Sequence, residues 1–240
     1  LLFLLPVVAG VILWLLKPQL DKREWSYATL LALVAGVTGL GAEWISFITP
    51  VQWGFLQVPL TLLSILAGWS ILGRFGLLQQ GVGRNRFLTA GMWLTARSFL
   101  LGILVGTPWA LAGVVIGSAE GGRSAWVESW WQPLIALQQG IAEEAWGRLL
   151  LVPLVFLLFR SVSANRTAFS TALIVMAYWF AYLHASGNVA SVLVSTLIVG
   201  SLFSLPISIV CLYYDLETAI GFHFWMDFLK FAFALFFFNR

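Results

Sequence analysis

The sequence predicts an all-α integral membrane protein, a polytopic bundle of about eight transmembrane helices forming one domain over residues 1–240. Three observations lead there. The chain is 60% hydrophobic and only 10% charged, its mean hydropathy is +0.93, and its apolar residues fall into eight long runs. A soluble domain carries about a quarter charged residues, so this much apolar surface needs lipid as its solvent. No polar stretch is long enough to build a second domain.

A helix needs roughly 20 apolar residues to cross the hydrocarbon core. By that rule the spans are Leu1–Leu16, Tyr27–Thr49, Val51–Gly73, Ser98–Ser118, Pro133–Phe159, Ala168–Ala185, Val189–Tyr213 and Thr218–Phe238. The first run lacks a basic leader and a clear small-residue cleavage site, so it reads as a helix, not a signal peptide. The polar joints are Lys17–Ser26, Arg74–Arg97, Ala119–Trp131, Arg160–Thr167 and the short Tyr214–Glu217. Within the second joint, Arg84–Arg97 mixes arginines with Phe87, Leu88, Met92 and Trp93, as an interfacial amphipathic helix does.

With eight spans, alternate joints share a side. Lys17, Lys22, Arg23, Arg74, Arg84, Arg86, Arg97, Arg160 and Arg166 collect on one side, and only Arg123 and Arg240 on the other. The positive-inside rule makes the basic loops cytoplasmic and puts both termini across the membrane from them. The net charge of +3 comes from these scattered residues, which form no nucleic-acid footprint. Trp14, Trp25, Trp126, Trp130 and Trp131 fall near span ends, where aromatic belts form. The lone Cys211 has no disulfide partner in the chain.

Charges inside lipid are costly and face the bundle interior or a wet cavity. The intramembrane set is Glu43, Glu143, Glu144, Arg148, His184, His223, Asp227 and Lys230, including both histidines of the protein. Glu144 and Arg148 are spaced i, i+4 and share a face, as an ion pair requires. Glu143 is rotated about 100° away and has Gly147 at i+4, which lets another helix approach. His223 and Asp227 are also i, i+4, with Lys230 on the next turn in reach of Asp227. Glu144–Arg148 reads equally as a structural pair locking two helices. Glu43, near a span end, reads as solvated or capped.

The order Glu-Glu-x-x-x-Arg (Glu143, Glu144, Arg148), Phe-x-x-x-His (Phe180, His184), His-x-x-x-Asp (His223, Asp227) resembles the CPBP family. That family comprises CAAX prenyl-proteases, Abi proteins and bacteriocin self-immunity proteins. The resemblance covers a core of about residues 133–240. It implies that Glu143 and His184 activate water, that His223 and Asp227 form the oxyanion-binding side, and that Glu144, Arg148 and Phe180 shape the site. It implies a metal-free mechanism, with zinc the lesser alternative and no other cofactor. The third motif has Asp where prenyl-proteases have Asn. An ionised Asp cannot donate to an oxyanion, so Asp227 is either protonated or orients His223.

Depth adds a constraint. Glu143 is roughly 25 Å up its helix from Arg160, while His223 is only about 9 Å above Glu217. For them to meet, the Tyr214–Glu217 turn must be recessed or the preceding span short, and Pro206 suggests a break in that span. The expected activity is hydrolysis of a peptide bond in a membrane-embedded or lipid-modified substrate. The alternative is a non-catalytic assembly factor or immunity protein with a membrane-protein partner. A third reading makes the histidines and aromatics ligands of a metal or tetrapyrrole. All three keep the lipid bilayer as surroundings and exclude nucleic acid.

Overall fold

The computed structural model describes residues 3–41, 49–75, 92–119, 131–162 and 164–237. Glu43, most of Arg84–Arg97, and Arg123, Trp126 and Trp130 lie outside them. Among the described residues every regular element is helical: α1 (Leu5–Leu16), α2 (Lys22–Gly39), α3 (Pro50–Arg74), α4 (Met92–Ala119), α5 (Ile135–Glu143), α6 (Leu151–Phe159), α7 (Asn165–Leu183), α8 (Val189–Val199), α9 (Leu205–Tyr213) and α10 (Leu216–Phe237). Two π-helical segments interrupt the series. The first, Glu144–Leu150, joins α5 to α6, and the second, Gly200–Ser204, joins α8 to α9.

Four helices are long and apolar enough to cross a membrane: Pro50–Arg74, Thr95–Ile116, Val189–Cys211 and Leu216–Phe237. They mark the chain as a membrane protein. The shorter α1 has 12 residues. The α5–α6 stretch carries Glu143, Glu144 and Arg148 in its middle, and α7 opens on Asn165 and Arg166.

Several boundaries differ from the hydropathy reading, each for a local reason. Helix α2 starts at Lys22 instead of Tyr27 because Asp21 and Glu24 close a reciprocal capping box, two hydrogen bonds of 2.8 Å. Its first charged residues are therefore helical. Thr49 and Gln52 do the same for α3, with Pro50 following the cap. Helix α4 begins at Met92, so Met92, Trp93 and Arg97 open the long helix instead of ending a separate interfacial one. Pro206 does not break its span. The preceding turn widens into the second π segment, where Leu205 N–H bonds to Gly200 O, and the helix runs on. A wider turn accommodates a residue that lacks an N–H and crowds the carbonyl behind it.

In lipid, helices associate through close packing more than through burial of apolar surface from water. Here glycines set that packing. A Cβ on Gly102 would lie 2.1 Å from Thr218 O, and one on Gly221 would lie 2.1 Å from Phe99 O, so α4 and α10 cross with their backbones in contact. Gly140 of α5 meets the α10 backbone at Ile220 O and Phe224 N, each 3.1 Å from a built Cβ. The last helix is thus clasped on both sides at the level of His223.

The turn before α10 is recessed, as the depth constraint requires. Asp215 is 4% exposed and Glu217 2%. Asp215 Oδ1 accepts from Thr218 N–H (2.8 Å) and Thr218 Oγ1 (2.6 Å), capping α10, while Oδ2 accepts from Ser98 Oγ (2.8 Å). Tyr27 Oη donates to Glu217 Oε1 at 2.5 Å. The sequence reading placed both carboxylates in a loop, whereas α2 and α4 hold them inside the bundle.

Substituting Gly221→Ala should cost at least about 2 kcal/mol, the overpacking range, because the facing atom is backbone. Gly10→Ala, where a Cβ meets nothing within 4 Å, should leave stability unchanged. Thermal unfolding of the two variants in detergent checks this.

Candidate functional site

The site forms where α5 and the first π segment, α7 and α10 meet. Its centre is Glu144, whose side chain is 0% exposed. Arg148 Nη1 lies 3.2 Å from Glu144 Oε1, and His223 Nδ1 lies 2.8 Å from the same oxygen. Arg148 Nη2 also donates to Ser204 Oγ at 3.1 Å, tying the first π segment to the end of the second. Its guanidinium stacks on Phe180, 3.9 Å from the ring centroid. A planar cation suits one ion pair, one hydrogen bond and one aromatic face together.

Phe180 separates the charges. Its other neighbours are His184, ring centroids 4.5 Å apart, and Trp146 at 5.5 Å. Gly147 faces the same ring, where a Cβ would stand in ordinary contact with it at 3.4 Å. Helix α7 ends at Leu183, and His184 caps it with Nδ1 2.9 Å from Phe180 O. A carbonyl oxygen only accepts, so Nδ1 is the donor in that contact and Nε2 is the nitrogen turned to Glu143.

Glu143 Oε2 lies 3.9 Å from His184 Nε2 and 3.8 Å from His223 Nε2. Both gaps exceed a hydrogen bond and fall within the span that a bridging water, about 2.8 Å from each partner, can cover. His184 is 38% exposed and Glu143 12%, so the cluster opens on the His184 side and closes towards Glu144. His223 Nε2 also faces Asp227 Oδ2 at 3.3 Å, and Asp227 Oδ1 accepts from Lys230 Nζ at 3.1 Å.

All seven residues named from the three motifs therefore come together, and Lys230 joins them. The arrangement differs from the expectation in one respect. Glu144, paired with Arg148, is also the direct partner of His223. Both oxygens of Asp227 are engaged, one by Lys230 and one by His223, so Asp227 acts as an acceptor that orients the imidazole. Facing a carboxylate at each nitrogen, His223 satisfies both only as a two-proton donor. Three carboxylates, Arg148 and Lys230 leave one negative charge, which one extra proton on an imidazole neutralises.

Ser204 was missed in the sequence because an isolated serine in an apolar run carries no signal, although it lies two residues before Pro206. Among the described residues no group of three or more His, Cys, Asp or Glu has the geometry of a metal site. Compared with protein-family models, curated proteins and solved structures, the chain matches none.

Arg148→Met should destabilise the fold by about 3–5 kcal/mol, because it strands a buried carboxylate. Adding Glu144→Gln to that variant should recover much of the loss. Unfolding midpoints for the two single variants and the double variant in detergent close the cycle.

Proposed function

We propose that this chain is a multi-pass intramembrane peptidase of the CPBP type, in which about eight helices cross the bilayer and the basic loops face the cytoplasm. One observation carries the reading: the Glu143 carboxylate lies 3.9 and 3.8 Å from the Nε2 atoms of two histidines from different parts of the bundle, separations that a bridging water would span. Glu143 and His184 are the candidate base pair, and His223 the candidate donor to the oxyanion.

In this mechanism Glu143 takes a proton from the water as its oxygen attacks the scissile carbonyl carbon. The carbonyl oxygen gains charge and draws an N–H from His223, which Asp227 releases while held by Lys230. The C–N bond then breaks as the proton passes through Glu143 or His184 to the leaving amine. Glu144 and Arg148 keep His223 oriented and do not touch substrate. The open His184 side admits a membrane-embedded or lipid-modified peptide. The residues need no metal in this scheme, and an inhibition test with a chelator probes the zinc alternative directly.

A non-catalytic role as an assembly factor or immunity protein is favoured by one feature, the Asp227–Lys230 pair that occupies the oxyanion side. It predicts a membrane-protein partner that co-purifies and a function that survives Glu143→Gln.

Turnover of a membrane peptide should fall at least about 100-fold in Glu143→Gln and in His184→Ala, the range for losing a general base. Equal turnover in the two variants and the parent chain removes both residues from the chemistry. Lys230→Met, which frees Asp227, should change turnover without abolishing the fold.

A further inference from the structure

One face of α3 carries buried polar atoms that have no partner: Gln57 Oε1, Thr61 Oγ1 and Ser64 Oγ. They are spaced i, i+4, i+7, and the next position in the series, Gly68, touches the backbone at Leu149 O, where a built Cβ would lie 2.2 Å away. At the other end Gln57 Cγ and Gln138 Cγ converge over Gly39, 3.5 Å and 3.2 Å from its built Cβ. The separation from Gln57 to Gly68 equals that from Gln138 to Leu149. The two helices therefore run parallel in register, with Thr61 and Ser64 level with Ala142 and Ala145.

Tight packing of small residues alone does not explain this face. Elsewhere, helical hydroxyls at Thr38, Ser70, Thr107 and Ser208 donate to the carbonyl four residues back. Thr61 and Ser64 forgo that default bond although neither side chain is exposed at all. The alanines at the same level, Ala142 and Ala145, are equally buried and offer them no polar group. Gln138 Oε1 is also unpartnered, and at the far end Glu144 Oε2 has no hydrogen bond while Arg148 Nη1 has only its ion-pair contact with Glu144. Buried polar atoms in native structures have partners, and buried water is the usual partner of polar groups that no protein atom satisfies.

We propose that the α3–α5 interface holds a file of water molecules running from Gln57 and Gln138 past Thr61 and Ser64 to the Glu144–Arg148 pair. The file hydrates the buried back of the site from the side away from His184. It would supply the water that the proposed hydrolysis consumes, and only this purpose rests on the peptidase reading.

The test uses silver ion, a thiol-reactive probe that enters hydrated but not apolar space. In the full-length chain carrying Cys211→Ala, Thr61→Cys and Ser64→Cys should react faster than Leu66→Cys by at least about tenfold, as a wet site differs from a dry one. Protection from later alkylation, read by mass spectrometry, gives the rates. Equal rates at all three positions overturn the file. Should the cysteine variants not fold, radiolytic hydroxyl labelling of the unaltered chain should oxidise Ile141 ahead of Leu66, and no difference again overturns it. Both results should persist in Glu143→Gln, which separates the file from the fate of the peptidase reading.

Discussion

A carboxylate wholly removed from solvent organises this bundle. Glu144 lies in a medium where an unpaired charge is expensive, and it is held by two donors on one oxygen, Arg148 from its own helix and His223 from α10. Each partner brings a further constraint. Arg148 reaches Ser204 and stacks on Phe180, and His223 faces Glu143 and Asp227. Neutralising one buried charge thus fixes the relative positions of three helices. The same contacts leave Glu143, one residue earlier and on another face, to the two imidazoles at 3.9 and 3.8 Å. A carboxylate locked by Arg148 and one facing two imidazoles follow from adjacent positions in the chain.

Backbone geometry serves this arrangement. Glu144 and Arg148 lie in a π segment, and Ser204, which Arg148 contacts, ends the other. Wider turns are frequent at functional sites because they re-aim side chains without ending the helix. Near Gly200 the widened helix also meets α7, where Tyr178 Oη and Ser201 Oγ lie 2.7 Å apart. The glycines at the α4–α10 and α5–α10 crossings remove the side chains that would hold His223 away from Glu144. Contact of backbones, more than apolar bulk, brings the charged groups within reach of each other.

The recessed turn at Asp215–Glu217 completes the geometry. Capping by Asp215 and the Tyr27–Glu217 hydrogen bond satisfy polar groups that would otherwise be costly inside the bundle. Drawing the start of α10 inwards lifts His223 to the depth of Glu143. The bundle therefore carries two polar layers, one beneath the last helix and one at the histidines. Each includes a side chain of α10, Glu217 in the first and His223 in the second.

Composition and spacing alone determined that the chain is helical and suited to lipid, and that Glu144 pairs with Arg148 and His223 with Asp227. Hydropathy reports the solvent, and i, i+4 adjacency belongs to a single helix, so both are local. The motif order also grouped Glu143, His184 and His223 through a family resemblance, although no spacing rule joins residues on separate helices. Only the tertiary structure decided that Glu144 meets His223 and that Asp215 and Glu217 are buried. Those outcomes depend on how deeply each helix sits and how closely backbones approach. Such distances are set by Gly102, Gly140 and Gly221 and by turns whose hydrogen bonds come from distant parts of the chain.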